Sequence, residues 1–169
     1  MIAQCLAYGG YHAVHIPTDK DEDVKIYLRM RDDHKQDLKK TKQKIGAFCL
    51  SQGFYYSRVK WTQAHLKWLK SLELSGLDRE TLNEYLITNE YQTNRIEVFD
   101  KRIEELASET EYVEKVKKLV CFLGVKTHTA LSCLVETGDF QRFAKGNIYS
   151  AYLGLVPGED SSSDNINRL

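Results

Sequence analysis

The sequence predicts a mainly α-helical protein, and three observations support that fold class. The 169 residues include only two prolines and ten glycines, so few positions interrupt a helix. Hydrophobic residues make up 42% of the chain, which is more than a disordered protein carries. Over long stretches they recur at the three- and four-residue spacing of a single helix face. We therefore expect long helices that form a coiled coil, followed by a helix-hairpin-helix-like start of a C-terminal domain.

The first long helix has local start and stop signals. Residues 1–15 are a short apolar segment with a Gly9-Gly10 break, and we interpret them as the tail of a domain that is missing. After Pro17, the capping candidates Thr18 and Asp19 predict a helix that runs to about Gln52, before Gly53.

Part of this helix is basic. Residues 25–44 hold eight Lys or Arg against three Asp, a balance of +5. Such a surface can neutralise several phosphates, so Arg29, Arg31 and Lys35 are candidate nucleic-acid contacts. The alternative is an ordinary solvated helix face.

A second, shorter helix is predicted from Trp61 to about Leu72. Trp61, His65 and Trp68 share its apolar stripe with Leu69 and Leu72. The tryptophans fit a packed core better than a surface for stacking bases. His65 has no second ligand at metal-binding spacing, which favours a packed histidine.

A heptad pattern follows and predicts a third, long helix. Its apolar and polar seam positions alternate three and four residues apart, a spacing typical of a coiled coil: Leu82, Tyr85, Asn89, Gln92, Ile96, Phe99, Ile103, Leu106, Thr110 and Val113. Residues 71–114 hold twelve Asp or Glu against four Lys or Arg. This acidic helix is suited to pairing with the basic helix or with another subunit, because opposite charges select partners.

Residues 115–148 return to a positive balance and contain a candidate phosphate-binding turn. Helices that end near Leu123 and begin near Thr127 would flank Gly124, and a Gly turn before a helix N-terminus can hold a backbone phosphate. The candidate nucleic-acid contacts are Gly124, Lys126, Thr127, His128, Thr129, Arg142 and Lys145. A plain helix turn is the alternative, since Lys126 stands where the usual motif has a second glycine.

The last segment combines a short helix with a cluster of serines. Phe140, Phe143 and Tyr149 can pack that helix, Gly154 and Pro157 end it, and a polar loop with Ser161, Ser162 and Ser163 follows. Serines in loops are usually turn residues.

The cysteine pattern and the lack of targeting segments favour a cytoplasmic location. The four cysteines are scattered without a C-x-x-C pair, as in proteins with reduced thiols. No apolar run approaches the roughly 20 residues of a membrane span, and no signal peptide follows Met1. We expect a cytoplasmic protein with no membrane partner.

Several blocks together resemble one family of proteins. AVHIPTDKDEDVKIYLRMRDD, KIGAFCLSQGFYYSRVKWTQAHLKWL, LVCFLGVKTHTALSCLVETGDFQRF and AYLGLVP are similar to the insertion-sequence one-ten family of transposases, which move DNA under the guidance of a structured bridge RNA. The resemblance covers nearly the whole chain.

The resemblance implies a domain order and a site. Family members have a RuvC-like domain with four acidic metal ligands (DEDD), a coiled-coil middle and a C-terminal serine transposase domain. Residues 1–15 would be the tail of the RuvC-like domain, 16–114 the helical and coiled-coil region, and 115–169 the truncated start of the serine domain. The nucleophile would be the fifth residue after Pro157, which is Ser162, with Ser161 and Ser163 as alternatives in register.

The resemblance also implies partners and an activity. DNA, a structured guide RNA and a second copy bound through the coiled coil are the expected partners, in a prokaryotic cytoplasm and on the nucleoid when bound to DNA. Mg²⁺ would be held by the missing domain, so we expect no metal or other cofactor bound by this chain. We expect a partial transposase that is inactive alone. The alternatives are a non-catalytic helical module that binds nucleic acid and oligomerises, and a purely structural coiled coil.

Overall fold

The computed structural model describes residues 2–9, 15–155, 159–162 and 165–168. It confirms the predicted mainly α-helical fold with long helices, since most of the described residues are helical. Two compact units are formed, Ile16–Glu136 and Met1–His15 with Thr137–Leu169. The elements are α1 (Ile2–Ala7), α2 (Asp19–Ser51), α3 (Gln63–Ser71), α4 (Gly76–Ala107), α5 (Val113–Leu119), α6 (Thr127–Thr137), a 3₁₀ turn (Phe140–Arg142), α7 (Gly146–Tyr152), β1 (Glu159–Ser162) and β2 (Asn165–Arg168).

Helix α2 begins and ends where the local signals predict. The Thr18 hydroxyl accepts a hydrogen bond from the Asp21 backbone N–H at 3.1 Å, so one of the unpaired amides of the first turn is satisfied. At the other end Gly53 adopts φ +79°, a conformation that costs glycine little and stops the helix.

Helix α4 is shorter than the heptad pattern predicts. It ends at Ala107, so Thr110 and Val113 do not continue its seam. The Glu109 N–H donates to the Leu106 carbonyl at 3.2 Å, a three-residue bond that tightens the last turn instead of continuing the α-helix. The chain then turns, and Tyr112 is buried and donates its hydroxyl to Asp21 at 2.7 Å before α5.

The two long helices pack against each other as an antiparallel pair. Val24 and Leu28, near the start of α2, share a core cluster with Ile103 and Ala107, near the end of α4. At the opposite end, Ile45 and Cys49 share a second cluster with Leu82. The basic helix therefore pairs with the acidic helix inside one chain, which is one of the two pairings that their charges favour.

Each end of the helix pair is covered by further elements. The first cluster includes Tyr112, Val116 of α5 and four residues of α6, Ala130, Leu131, Leu134 and Val135. The second cluster includes Leu69 of α3 and Leu72, which directly follows that helix. Phe54, Trp61 and Trp68 pack against this cluster. The tryptophans thus contact the core, as the sequence favours, and His65 is buried.

In the unit formed by the chain ends, aromatic residues hold the short elements together. Phe143 lies 5.0 Å from Tyr149 and 5.2 Å from Tyr152, measured between ring centroids. The serine segment contains a two-stranded antiparallel hairpin, in which β1 pairs with β2. None of the described helices has the length and hydrophobicity needed to cross a membrane.

Candidate nucleic-acid interface

The connection between α5 and α6 is a tight turn that leads into a helix N-terminus. Helix α5 ends at Leu119, earlier than the predicted Leu123, and α6 begins at Thr127 as predicted. Gly124 adopts φ +85°, and a Cβ there would meet no atom within 4 Å. The conformation of the backbone, not lack of space, therefore requires glycine at this position.

This turn exposes hydrogen-bond donors and a positive charge. The first helical bond of α6 joins the Ala130 N–H to the Lys126 carbonyl at 2.9 Å, so the amides of Thr127 to Thr129 lie in the first turn, where helices lack internal acceptors. Lys126 and Thr129 are exposed. Donors, a lysine and the positive end of the helix dipole together suit a phosphate group.

His128 contributes little charge to this turn at neutral pH. Its Nε2 lies 3.3 Å from the Asp32 Oδ1 atom, yet the atom is buried and makes no hydrogen bond to the described residues. Burial lowers the pKa of His128, and this outweighs the opposite effect of Asp32. A neutral imidazole fits packing against α2 better than phosphate binding.

The candidate cations of α2 differ in how they are engaged. Arg31 is buried, and its Nε and Nη2 atoms donate to the two carboxylate oxygens of Asp100 at 2.7 and 3.1 Å. Its Nη1 donates to Asp32 at 3.0 Å. Arg29 forms an exposed ion pair with Glu136 at 2.8 Å. Lys35 is exposed as well, but unlike Arg29 and Arg31 it forms no ion pair with the described residues.

Arg142 and Lys145 lie in the other unit, near the start of α7. Both are exposed. The Arg142 guanidinium lies 4.5 Å from the Phe143 ring centroid and 4.7 Å from that of Tyr152, so its plane is oriented by aromatic neighbours. Lys145 occupies the N-cap position of α7 without a side-chain cap bond.

The serine candidates lie on strand backbone where a loop is predicted. Ser161 pairs with Ile166 and Ser162 with Asn165, across a two-residue connection. Ser162 is therefore the last residue of β1. Ser163 lies outside the described residues, as does Pro157, from which the register of the nucleophile is counted.

The described residues provide no cluster for a metal ion. Within the described ranges, no group of three or more His, Cys, Asp or Glu side chains is placed to hold one.

Sequence reasoning missed a groove beside the middle and the C-terminal part of α2. It has a volume of about 1050 Å³ and is lined by α2, α3 and the segment that joins them. Four lysines and several aromatic side chains line it. The signal that could have found it is the run Phe54-Tyr55-Tyr56 directly after the basic helix.

Comparisons with known proteins agree with the resemblance seen in the motifs. Residues 110–168 match the model of the family described as Transposase IS116/IS110/IS902 family. This segment contains the α5–α6 turn and all three serine candidates. No solved structure matches the chain.

Two curated proteins are similar over longer stretches. One is the transposase for insertion sequence element IS1533 from Leptospira borgpetersenii, 35% identical over 133 residues, which are 77% of this chain and 38% of that protein. The other is the putative transposase y4qE from Sinorhizobium fredii (strain NBRC 101917 / NGR234), 27% identical over 169 residues, 99% of this chain and 40% of that protein. The chain thus spans about two fifths of the length of these relatives. Together these matches show that the chain is similar to transposases and that its residues 110–168 match the IS116/IS110/IS902 family.

Proposed function

We propose that this chain acts in DNA transposition as one part of a bridge-RNA-guided serine transposase. The observation that carries the proposal is the family match over residues 110–168, which coincides with an exposed Gly turn at a helix N-terminus. Because the chain spans about two fifths of its relatives, a further segment would supply the acidic RuvC-like domain and its magnesium.

The first role we assign to the chain is contact with the DNA backbone. Lys126 and the amides at the start of α6 can hold a phosphate without reading bases, so binding would be independent of sequence. Lys35, on the neighbouring helix, can add a second phosphate contact. Arg31 is excluded from this interface because Asp100 and Asp32 already occupy its guanidinium.

Duplex binding in a salt series tests this role. We expect Lys126→Glu to weaken binding to all sequences alike and to lower the salt slope by about 0.9. Lys67→Glu is the matched control, since Lys67 is also exposed but lies on α3, outside the interface. Affinity that stays flat as salt rises, or an equal loss for both variants, would contradict the proposal and favour a structural scaffold.

The second role is nucleophilic attack by a serine, for which we propose Ser162. Its hydroxyl oxygen would attack phosphorus as the bond to the leaving oxygen breaks, so that one phosphoester replaces another and the free hydroxyl can later reverse the step. The serine gives up its hydroxyl proton to solvent in the attack, and the leaving oxygen takes up a proton from solvent to become the free hydroxyl.

The test of this role uses a full-length protein that contains this sequence and is supplied with its guide RNA. There, Ser162→Ala should abolish the covalent protein–DNA adduct but leave DNA binding intact. If the adduct is lost only on changing Ser161 or Ser163, the register is wrong. If it survives all three changes, the serine mechanism is wrong. The 169-residue chain alone should not cleave DNA, even with magnesium.

We further propose that two copies associate through α4. Phe99 and Ile103 cannot serve as contacts, because they are buried against α2. Ile87, Tyr91 and Val98 remain exposed, and they provide apolar surface for a second copy. Ile87→Lys with Tyr91→Lys should then yield monomers in analytical ultracentrifugation, and an unchanged mass would contradict the proposal.

A further inference from the structure

The groove beside the middle of α2 combines positive charge with aromatic surface. Its lysines come from separate elements, Lys35, Lys39 and Lys42 from α2 and Lys60 from the segment before α3. Asp32 is the only carboxylate among its lining residues. None of the four lysines forms an ion pair within the described part of the chain. Their charges are therefore available to an anionic ligand.

The floor of the groove is a fixed aromatic stack. The His65 ring lies 4.7 Å from that of Tyr56 and 5.7 Å from that of Trp68, with an angle of 19° between the planes of His65 and Trp68. Tyr56 and Trp68 lie 4.9 Å apart. Because each ring is packed against another, the stack keeps its orientation without a ligand.

Trp61 closes the stack in an unusual backbone conformation. Its φ of +66° lies in the left-handed region, which is strained for a bulky residue. The His65 Nδ1 atom accepts a hydrogen bond from the Trp61 N–H at 3.0 Å, and the Lys42 ammonium lies 5.1 Å from the Trp61 ring centroid. The surrounding contacts thus hold an indole beside a lysine at the groove wall.

Tyr55 is the aromatic side chain that remains open to a ligand. It is 72% exposed although it lines the groove. A free tyrosine ring beside lysines is the combination that binds unpaired nucleotides, in which bases stack on aromatic faces and phosphates contact cations. A duplex would not expose its bases to such a ring.

We infer that this groove binds an unpaired stretch of nucleic acid, with a base stacked on Tyr55 and phosphates on Lys39, Lys42 and Lys60. Lys35 borders both this groove and the proposed duplex interface and is left out of the site, which otherwise does not include the α5–α6 turn and does not depend on serine chemistry. Single-stranded RNA and single-stranded DNA share this recognition chemistry, so the choice between them is a matter for measurement.

The intrinsic fluorescence of the chain reports directly on this groove. Its two tryptophans, Trp61 and Trp68, both line it. The whole chain is titrated with short oligo(U), oligo(dT), a duplex of equal length and poly-glutamate. We expect at least one of the two single strands to quench the tryptophan fluorescence at a lower concentration than the duplex does.

Two variants separate stacking from charge. Because Tyr55 is exposed, Tyr55→Ala should leave the thermal midpoint unchanged and weaken single-strand binding about tenfold. Lys39→Gln with Lys42→Gln should lower the salt slope by about 0.7 per lysine. Lys67→Gln, on exposed α3 surface outside the groove, is the control for a general loss of charge.

The outcomes distinguish this site from the proposed duplex interface. Lys126→Glu should weaken the binding of duplex but not of single strands. Tyr55→Ala should weaken the binding of single strands but not of duplex. Equal single-strand affinity for Tyr55→Ala and the unaltered chain would overturn the inference. It would also be overturned if poly-glutamate bound with the same dependence on Tyr55, since the groove would then recognise acidic protein segments.

Discussion

The ion pair between Arg31 and Asp100 should stabilise the helix pair, and Arg31→Met tests this. Arg31 is 9% exposed and donates to both oxygens of Asp100. Removing one partner of a fully buried pair costs about 3–5 kcal/mol, whereas an exposed pair contributes about 0–1 kcal/mol. The Asp100 side chain is 43% exposed, so water can replace part of the hydrogen bonding that Asp100 loses with Arg31. We therefore expect a loss of about 2 kcal/mol in the free energy of unfolding.

The measurement is urea unfolding followed by circular dichroism, completed as a double-mutant cycle. Asp100→Asn is the second change, and the coupling energy of the two sites should be about 1.5 kcal/mol. The reasoning would be refuted by additive effects of the two changes. Arg31→Met should also leave the salt slope of duplex binding unchanged, in contrast to Lys35→Gln, because only Lys35 is available to phosphates.

Two further predictions concern local structure. Burial, and then the charge of Lys60, lower the pKa of His65, and its neutral Nδ1 accepts a hydrogen bond from the Trp61 N–H. The neutral imidazole therefore stabilises the fold. This stabilisation is fully present above the ordinary pKa of about 6.5 and is lost as the pH falls through the lowered pKa of the folded state. The thermal midpoint should fall over that window while NMR titration shows His65 protonating below the usual range, and a stability that rises on acidification would contradict this. Thr18→Ala should lower the free energy of unfolding by about 1 kcal/mol through loss of the cap on α2; Ser75→Ala, at an N-cap without a side-chain bond, is the control and should change it by less than about 0.5 kcal/mol.

The elements that the sequence predicts well are those set by local chemistry. Thr18 and Gly53 mark the ends of α2 because a cap and a positive φ act within one helical turn. After the end of α4, by contrast, the hydroxyl of Tyr112 reaches Asp21, 91 residues away in sequence. No periodicity in α4 encodes that contact.

The candidate site shows the same division. The turn at Gly124 is visible as a glycine before a helix start, and the structure places α6 where the sequence predicts it. In the sequence Arg31 resembles the phosphate-binding cations around it, because its partner Asp100 lies 69 residues further along the chain. The groove has no local sequence signature for a related reason, since Tyr55 and Lys39 line one surface only after α2 and α3 pack together. The hairpin at Ser162 is formed by a segment whose polar residues are typical of loops, so the sequence predicts no strand pairing there.

The separation of the two core clusters affects how the helix pair moves. At about 1.5 Å per residue, the 33 residues of α2 extend about 50 Å, and the clusters lie towards opposite ends of that length. Between them the buried positions include polar groups, Thr41 and Asn89, and the Asn89 Nδ2 atom makes no hydrogen bond to the described residues. Apolar burial is thus weakest at mid-length, and each end has its own core. One end of the helix pair can therefore open locally while the other stays folded, so hydrogen exchange at the two ends of α2 need not follow a single opening event.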